Sequence, residues 1–213
     1  MLDAVNLSCE RGERALFARL EFSVSAGSLL RVAGPNGTGK TSLLRILCGL
    51  LEPAAGEVRW HGRNIRRQRE EYWKDLVYIG HLNAVKDDLT VYENLKVAQA
   101  VAGRNVDHTA LRRALDAVDL GHFEHTLARR LSQGQRRRVA LARLFATTTA
   151  PLWILDEPFI ALDQRGVASL SERIASHIDN GNMVVLVTHQ DVAIDVARQQ
   201  HIDLASSAAE AAC

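Results

Sequence analysis

The sequence predicts an α/β fold built on a parallel sheet, together with an antiparallel β subdomain. Two fully apolar runs, Leu152–Leu155 and Met183–Val187, are typical of strands that a parallel sheet buries on both faces. Within residues 1–30, apolar and polar residues alternate, for example at Leu20–Val24, and they alternate again at Gly56–Gly62. Such alternation is typical of half-exposed antiparallel strands, so a mixed architecture follows.

A helical pattern between two predicted sheet strands indicates an inserted α-helical subdomain. The pattern extends from Thr90 to Phe145 and follows the strand-like run Leu76–Ile79. Thr90 and Glu93 have the spacing of a capping box, which predicts a helix start, and a further helix is predicted near Thr109–Val118. Because sheet strands lie on both sides of this segment, we expect it to belong to the same fold.

Length and composition indicate an ordinary globular protein with one domain. With 213 residues and 47% hydrophobic content, the chain can bury a sizeable core. We expect a single domain over residues 1–213, with the helical subdomain at about 84–146 and a disordered tail at about 205–213. The 26 basic and 25 acidic residues nearly cancel, so no overall field favours nucleic acid as a partner.

Cysteine usage and hydropathy bear on the compartment of the chain. Cys9, Cys48 and Cys213 are widely spaced and form no C-x-x-C pair, which is typical of reduced thiols in a cytosolic protein. No stretch has the apolar run of about 18 residues that spanning a membrane requires. We therefore expect that, if the chain serves a membrane process, it docks onto another polypeptide.

A glycine-rich segment predicts a phosphate site. The eight residues Gly34-Pro35-Asn36-Gly37-Thr38-Gly39-Lys40-Thr41 match the pattern G-x-x-x-x-G-K-[ST] at every specified position. An apolar run precedes them, and a helical pattern that begins at Ser42 follows. Backbone N–H groups of such a loop, with the helix N-terminus, hold polyphosphate. Lys40 would reach the β- and γ-phosphates, and the Thr41 hydroxyl would be a ligand of Mg²⁺.

Two carboxylates follow a buried strand, where ligands of parallel α/β sheets bind. Asp156 and Glu157 come directly after the apolar run Leu152–Leu155. Asp156 would hold Mg²⁺, directly or through water. Glu157 would orient or deprotonate the water that attacks the γ-phosphate. On its own, such an acidic pair would more often be a solvated strand end, but its combination with the phosphate loop favours catalysis.

A second anion site is predicted at Ser132-Gln133-Gly134-Gln135, ahead of a helix expected over Arg136–Phe145. Ser132 and Gln135 have capping-box spacing, which combines a hydroxyl, a glycine and a helix N-terminus. With the phosphate loop and Asp156-Glu157, this segment resembles the signature motif of ABC-type ATPases. The usual motif is L-S-G-G-Q, and Gln133 replaces its first glycine, while Ser132 and Gly134 match.

The resemblance covers nearly the whole chain and implies an ATP-hydrolysing domain that works as a dimer. In that family the signature contacts the γ-phosphate bound to a second copy, so each Mg²⁺–ATP would lie between two head-to-tail protomers. Ala161-Leu162-Asp163 resembles the family's D-loop, which places Asp163 at the dimer interface. His189 matches the switch histidine that hydrogen-bonds the γ-phosphate, whereas its spacing alone would suggest a loop histidine without function.

Two positions depart from the family pattern. His81 stands where the family normally has a glutamine that senses Mg²⁺, water and the transmembrane partner, so its expected role is coupling. Its ring could simply replace the amide as a hydrogen-bonding group, or serve a special role such as haem ligation. Arg11 stands where an aromatic residue usually stacks on adenine, and its guanidinium plane could stack instead. Arg136–Arg138 is expected to be a solvated helix face.

Further details resemble the ATP-binding subunits of bacterial cytochrome c biogenesis exporters. They are the short single domain, Cys9-Glu10-Arg11, Gly80-His81, Trp153–Phe159 and Thr188-His189-Gln190. This resemblance implies a peripheral ATPase at the cytoplasmic face of the bacterial inner membrane, paired with membrane-spanning subunits of the cytochrome c maturation system. No haem-binding motif is present, so no direct haem contact is expected.

Other proteins with a phosphate loop share part of this pattern. The ATPase subunit of an unrelated ABC exporter would share all the nucleotide chemistry. A soluble ABC ATPase acting on nucleic acid or ribosomes usually has two nucleotide domains or a long coiled-coil insertion, which this chain lacks. A kinase with a phosphate loop would leave Ser132–Gln135 without a purpose.

Overall fold

A computed structural model describes residues 1–12, 14–147 and 149–205. The strands in chain order are β1 (Leu2–Arg11), β2 (Arg14–Val24), β3 (Ser28–Ala33), β4 (Ala55–Trp60), β5 (Arg63–Asn64), β6 (Leu76–Ile79), β7 (Leu152–Asp156), β8 (Met183–Val187) and β9 (Gln199–Asp203). The α-helices are α1 (Lys40–Leu47), α2 (Arg69–Lys74), α3 (Val91–Val101), α4 (His108–Asp116), α5 (Gln133–Ala146) and α6 (Gln164–Asp179). Short 3₁₀ turns lie at Ile65–Arg67, Gly121–Phe123 and Ala128–Arg130.

The predicted parallel sheet is present and has the strand order β6-β7-β8-β3-β9. Neighbouring strands are parallel, with Ile79 opposite Leu155 and Leu155 opposite Leu186. Every residue of β7 and β8 is buried, as their apolar runs predict. Because all five strands run in the same direction, their carboxyl ends meet at one edge of the sheet. This edge receives the glycine-rich loop after β3 and the carboxylates after β7.

The predicted antiparallel sheet is also present, with the strand order β2-β1-β4-β5. Apolar side chains from its inner face, such as Leu7 and Phe17, share a core with α1 and with Leu30 of the parallel sheet. One part of the N-terminal region differs from the expectation, since Ser28–Leu30 begins the parallel strand β3. The edge strand β9 was not predicted, because Gln199 and His201 are polar and exposed and give no apolar signal.

The inserted segment contains α3, α4 and α5, which enclose a core of their own around Leu95, Leu115 and Val139. The predicted capping box at Thr90 is present, since its side chain accepts from the Glu93 N–H and the Glu93 carboxylate accepts in return. The third helix of the segment begins three residues earlier than the predicted start at Arg136. Ser132 is its N-cap, and a helix begins directly after its cap.

The prediction that Arg136–Arg138 forms a solvated face is wrong for its middle residue. Arg137 is only 4% exposed. Arg136 and Arg138 are partly exposed and pair with Asp87 and Asp119. The physical reason is that α5 packs one face against the parallel sheet, where main-chain carbonyls provide acceptors for a buried guanidinium.

The end of the chain and the cysteines bear on the predicted tail and on the predicted free thiols. The tail predicted to be disordered lies, from residue 206 onward, outside the described residues, and so does Cys213. Cys9 and Cys48 are buried free thiols. Among the helices of the described ranges, none combines the length and the apolar character needed to cross a bilayer.

Candidate active site

The glycine-rich loop connects β3 to α1 and closes around the Lys40 side chain. Gly39, the N-cap of α1, has φ 97°, a left-handed conformation that favours glycine. Gly34 has φ 140°, and a Cβ there would lie 2.8 Å from Thr38 Oγ1. The Lys40 ammonium donates to the carbonyls of Gly34 at 2.7 Å and Pro35 at 2.9 Å. The loop therefore holds a positive charge beside the amino end of a helix, an arrangement that suits phosphate.

A hydrogen bond joins the loop to the end of β7. Thr41 Oγ1 donates to Asp156 Oδ2 at 3.0 Å, and Asp156 is only 2% exposed. A hydroxyl and a carboxylate are hard oxygen ligands of the kind that Mg²⁺ takes, and Mg²⁺ usually uses one or two protein groups with phosphate and water. The donor set at this point thus fits Mg²⁺, with Thr41 and Asp156 as the residues that would hold it.

Glu157 projects its carboxylate into the same space from a strained backbone. Its φ of 50° lies in the left-handed region, and its N–H donates to the Val187 carbonyl at 2.9 Å. Glu157 Oε2 accepts from the His189 backbone N–H at 3.2 Å. His189 Nε2 lies 3.6 Å from Glu157 Oε1, which is ion-pair distance but too long for a hydrogen bond. Within the described residues, Oε1 is thus a buried acceptor without a hydrogen-bond donor.

These groups face one cavity of about 570 Å³. The cavity is lined by the glycine-rich loop, the start of α1, the two carboxylates after β7, and the two histidines and the arginine that the sequence predicts as site residues. The lining residues are Arg11, Leu16, Asn36, Gly37, Gly39, Lys40, Thr41, Ser42, His81, Asp156, Glu157, Ile160, Val187, His189 and Gln190. The structure therefore brings together the predicted phosphate, metal, catalytic, coupling and base-stacking residues. His81 is exposed and also lines an adjoining cavity beside Arg45 and Tyr78.

The predicted signature residues do not line this cavity. Ser132 Oγ accepts from the Gln135 N–H at 3.2 Å, and Gln135 Oε1 accepts from the Ser132 N–H at 2.9 Å. Ser132 and Gln133 are exposed, and a Cβ on Gly134 would lie 3.3 Å from the Ala161 carbonyl. The signature is thus on a second surface, next to the D-loop.

Asp163 lies in that D-loop and is the N-cap of α6. Its carboxylate accepts from the Gly166 N–H at 2.8 Å, and its side chain is exposed. Ala161, with φ 62°, turns the chain between the cavity-lining Ile160 and this cap. Residues 160–163 therefore connect this cavity to the surface that carries Ser132 and Gly134.

Sequence reasoning missed Arg137 as a site residue. It donates to the carbonyls of both Asp156 and Glu157. A signal was present, because position 137 shares one helical face with the apolar residues Ala140, Leu141 and Leu144. The structure buries all four.

A phosphate loop follows one strand of the parallel sheet, two carboxylates follow another, and a helical segment is inserted between strands. This is the fold of an ABC-type ATP-binding cassette. Comparisons with known proteins agree. The family model described as ABC transporter matches residues 17–160. A relative from Aromatoleum aromaticum, the cytochrome c biogenesis ATP-binding export protein CcmA, is 52% identical over 90% of this chain and 89% of its own length.

Other comparisons cover even more of the chain. The CcmA protein of Dechloromonas aromatica is 49% identical over 96% of this chain and 100% of its own length. Among solved structures, the dimeric structure of a bacterial ABC transporter cassette has a TM-score of 0.83 at 22% identity, covering 96% of this chain and 95% of that one. The chain belongs to the ABC transporter family and, within it, to the cytochrome c biogenesis ATP-binding export proteins called CcmA. The family resemblance in the sequence is thereby confirmed.

Proposed function

We propose that this chain is the ATP-binding and ATP-hydrolysing subunit of a membrane ABC exporter complex for cytochrome c biogenesis. The relatives' name, ATP-binding export protein, supports this assignment. The observation that carries the catalytic part is the convergence of Lys40, Thr41, Asp156 and Glu157 on one cavity. Such a site hydrolyses ATP and supplies conformational work to membrane partners.

The phosphate loop binds the polyphosphate of ATP. The two hydrogen bonds that Lys40 Nζ makes to loop carbonyls keep it at the loop, from which it reaches the β- and γ-phosphate oxygens. Backbone N–H groups of residues 34–41, with Ser42 at the start of the helix, surround the phosphates. Thr41 and Asp156 would hold Mg²⁺, which would supply charge neutralisation for the γ-phosphate. Arg11 lies at the rim of the cavity and stacks on the adenine.

Hydrolysis needs a group that orients and deprotonates water. Glu157 Oε1 suits this role, because it is a buried acceptor that no donor of the described residues satisfies. His189 lies beside it and provides a hydrogen bond toward the γ-phosphate. The His189 N–H, bound to Oε2, fixes the rotation of the carboxylate and leaves Oε1 to face the water.

The site is completed by a second copy of the chain. Ser132, Gln133 and Asp163 are exposed on a surface apart from the cavity, and Gly134 and Gln135 beside them are half-buried, so this surface is free to meet a nucleotide bound to another protomer. The Ser132 cap leaves a helix N-terminus facing outward, which suits the γ-phosphate. Two copies arranged head to tail therefore enclose two molecules of ATP, and hydrolysis reopens the pair.

A groove between the parallel sheet and the inserted helices forms the contact with the membrane-spanning partner. Its volume is 500 Å³, and exposed apolar side chains of Leu50, Trp73, Val97 and Val101 lie along it. Arg143 also lines it, and burial with the neighbouring Arg104 lowers the pKa of Arg143 to about 10. Within the described residues, the Arg143 guanidinium has no hydrogen-bond or ion-pair partner. The occupant is therefore an amphipathic segment of the partner with an acidic residue for Arg143.

The proposed location is the cytoplasmic face of the bacterial inner membrane, where the chain is peripheral. His81 lies between the nucleotide cavity and the cavity beside this groove, which supports its role in coupling. Partners are the membrane-spanning subunits of the cytochrome c maturation system and a second copy of the chain. Haem and nucleic acid are not among its direct ligands in this proposal.

The test is to co-express the chain with the membrane-spanning subunits of the cytochrome c maturation system and to purify the assembly from membranes. The expected result is a complex that contains those subunits, with haem detected by absorption in the membrane components. Trp73→Ala and Val101→Asp should each reduce recovery of the membrane subunits, whereas Arg63→Ala, on an exposed edge, should not. A complex without any membrane subunit would contradict the transporter function, and one without haem-handling components would contradict its cytochrome c role.

A further inference from the structure

Arg137 connects three segments of the site through one buried side chain. It lies on α5, the helix that begins at the signature, and is 4% exposed. One terminal nitrogen donates to the Gly80 carbonyl at 2.9 Å and to Asn83 Oδ1 at 3.1 Å. The other donates to the main-chain carbonyls of Asp156 at 3.0 Å and Glu157 at 2.6 Å. These acceptors belong to the loop around His81 and to the carboxyl end of β7.

The contact with Glu157 supports a strained conformation. A glutamate with φ of 50° persists only where its surroundings hold it, because the left-handed region is unfavourable for side chains other than glycine. Glu157 is held at both ends, since its N–H donates to Val187 and its carbonyl accepts from Arg137. Removing the guanidinium takes away the shortest hydrogen bond to the Glu157 carbonyl and leaves there only the longer bond from the Ile160 N–H, at 3.4 Å. The carboxylate keeps its bond from the His189 N–H, but the main chain that carries it is held less firmly.

Charge adds to this geometric role. Burial lowers the pKa of Arg137, and attraction to the Asp156 and Glu157 carboxylates opposes that shift. A buried guanidinium is costly unless opposite charges and acceptors compensate it. Here the same two residues provide both the carbonyl acceptors and the negative charges. The side chain therefore stabilises the pair of carboxylates at the place where the nucleotide site needs them.

Arg137 joins the two segments that are proposed to contact other molecules, namely the membrane partner and the second copy of the chain. Gly80 and Asn83 flank His81, next to the groove proposed for the membrane partner. The N-terminus of α5 is the signature, proposed to meet the nucleotide of the second copy. Hydrogen bonds made by one guanidinium therefore link both places to the main chain of Glu157.

We infer that Arg137 is a positioning residue for ATP hydrolysis. It holds the main chain of Asp156 and Glu157, and it links the direction of the Glu157 carboxylate to α5, which begins at the signature, and to the loop around His81. This inference rests on the proposed role of Glu157 in activating water. Arg137 touches no reacting atom, and its effect is on catalysis after ATP has bound.

The experiment compares full-length Arg137→Gln, Arg137→Lys, Arg138→Gln and Glu157→Gln with the unchanged chain. It measures kcat per titrated nucleotide site, KM for ATP and the thermal unfolding midpoint. For Arg137→Gln we expect kcat to fall about a hundredfold, since a displacement of about 1 Å can cost that much. KM should stay within about twofold, because Lys40 and Thr41 keep their contacts. Arg137→Lys, which can still donate to carbonyls, should be intermediate.

Arg138→Gln is the matched control, since Arg138 is the next residue of the same helix and pairs only loosely with Asp119 at 3.8 Å. It should behave like the unchanged chain. An unaltered kcat per site in Arg137→Gln would overturn the inference, and so would a loss of ATP binding in proportion to kcat, which indicates a merely structural role. If Arg137→Gln fails to fold, Arg137→Lys decides by the same criteria. Full turnover in Glu157→Gln would instead overturn the proposed function, so the two failures are distinct.

Discussion

Thr41 Oγ1 donates a 3.0 Å hydrogen bond to Asp156 Oδ2, although 115 residues separate the two along the chain. The bond joins the start of α1, after the phosphate loop, to the carboxyl end of a fully buried strand. Two oxygen ligands suited to Mg²⁺ are thereby aligned beside the Lys40 ammonium. This alignment is the basis of the first prediction.

Asp156→Asn should decrease ATP turnover by about a hundredfold or more, which corresponds to roughly 3 kcal/mol of lost stabilisation of the transition state. The neutral amide of the variant is a weaker ligand for Mg²⁺, so the Mg²⁺ concentration that gives half-maximal activity should rise. A titration of activity with Mg²⁺ at saturating ATP measures both effects. Asp179→Asn, at the exposed end of α6, serves as the control. An unchanged Mg²⁺ requirement would remove Asp156 from the metal site.

A disulfide trap tests whether the signature meets the phosphate loop of a second copy. The variant carries Asn36→Cys, Ser132→Cys and Glu157→Gln, with Cys213 replaced by serine. Because Asn36 and Ser132 are exposed and Cys9 and Cys48 are buried, the introduced thiols should react selectively. MgATP should increase the yield of covalent dimer on a denaturing gel. Chains with only one introduced cysteine should give little, and a yield independent of nucleotide would contradict the arrangement.

Arg11→Ala should raise the KM for ATP about three- to tenfold, in line with the loss of a cation–π contact, and should leave kcat nearly unchanged. The reason is that a stacking contact with the base is the same in the ground state and the transition state. Arg11→Tyr should restore a low KM through aromatic stacking. Steady-state kinetics give both values, and Arg63→Ala controls for loss of an exposed positive charge. A KM for Arg11→Ala equal to that of the unchanged chain would show that Arg11 does not contact the base.

His177 predicts an acid-sensitive contribution to stability. Its ring stacks on Trp153 with centroids 3.6 Å apart, and burial, with the nearby Arg173, lowers the pKa of His177 to about 3. Below its ordinary pKa of about 6.5, the unfolded chain binds a proton that the folded chain does not, so stability falls as pH falls. The contribution is about 1.4 kcal/mol per pH unit between about pH 6 and pH 4.

His177→Phe keeps the stacked ring and removes this titration. Urea unfolding at several pH values should therefore give a free energy of unfolding that depends less steeply on pH in the variant. Replacement of His125 by phenylalanine is the control, because its side chain is 84% exposed. A slope in His177→Phe equal to that of the unchanged chain would show that His177 does not carry the effect.

The parts of the site that the sequence predicted are those encoded by contiguous residues. Gly34–Thr41 and Asp156-Glu157 each combine a local motif with a buried strand that delivers it to one edge of the sheet. Arg137 escaped prediction because neighbouring arginines usually face solvent, and the acceptors that bury it come from distant segments. The edge strand β9 escaped because its polar residues lack the apolar pattern of the inner strands. Contacts of this kind depend on strand order, which local patterns do not encode.

The most direct test of the account is Glu157→Gln, examined by ATP turnover and by sedimentation velocity with MgATP. The amide keeps the size of the side chain but cannot accept the proton of the attacking water, so hydrolysis should stop while ATP still binds. We expect no measurable turnover and a stable dimer that retains ATP. Glu172→Gln, an exposed position on α6, should turn over normally and form no lasting dimer. Full turnover in Glu157→Gln, without a trapped dimer, would contradict the account.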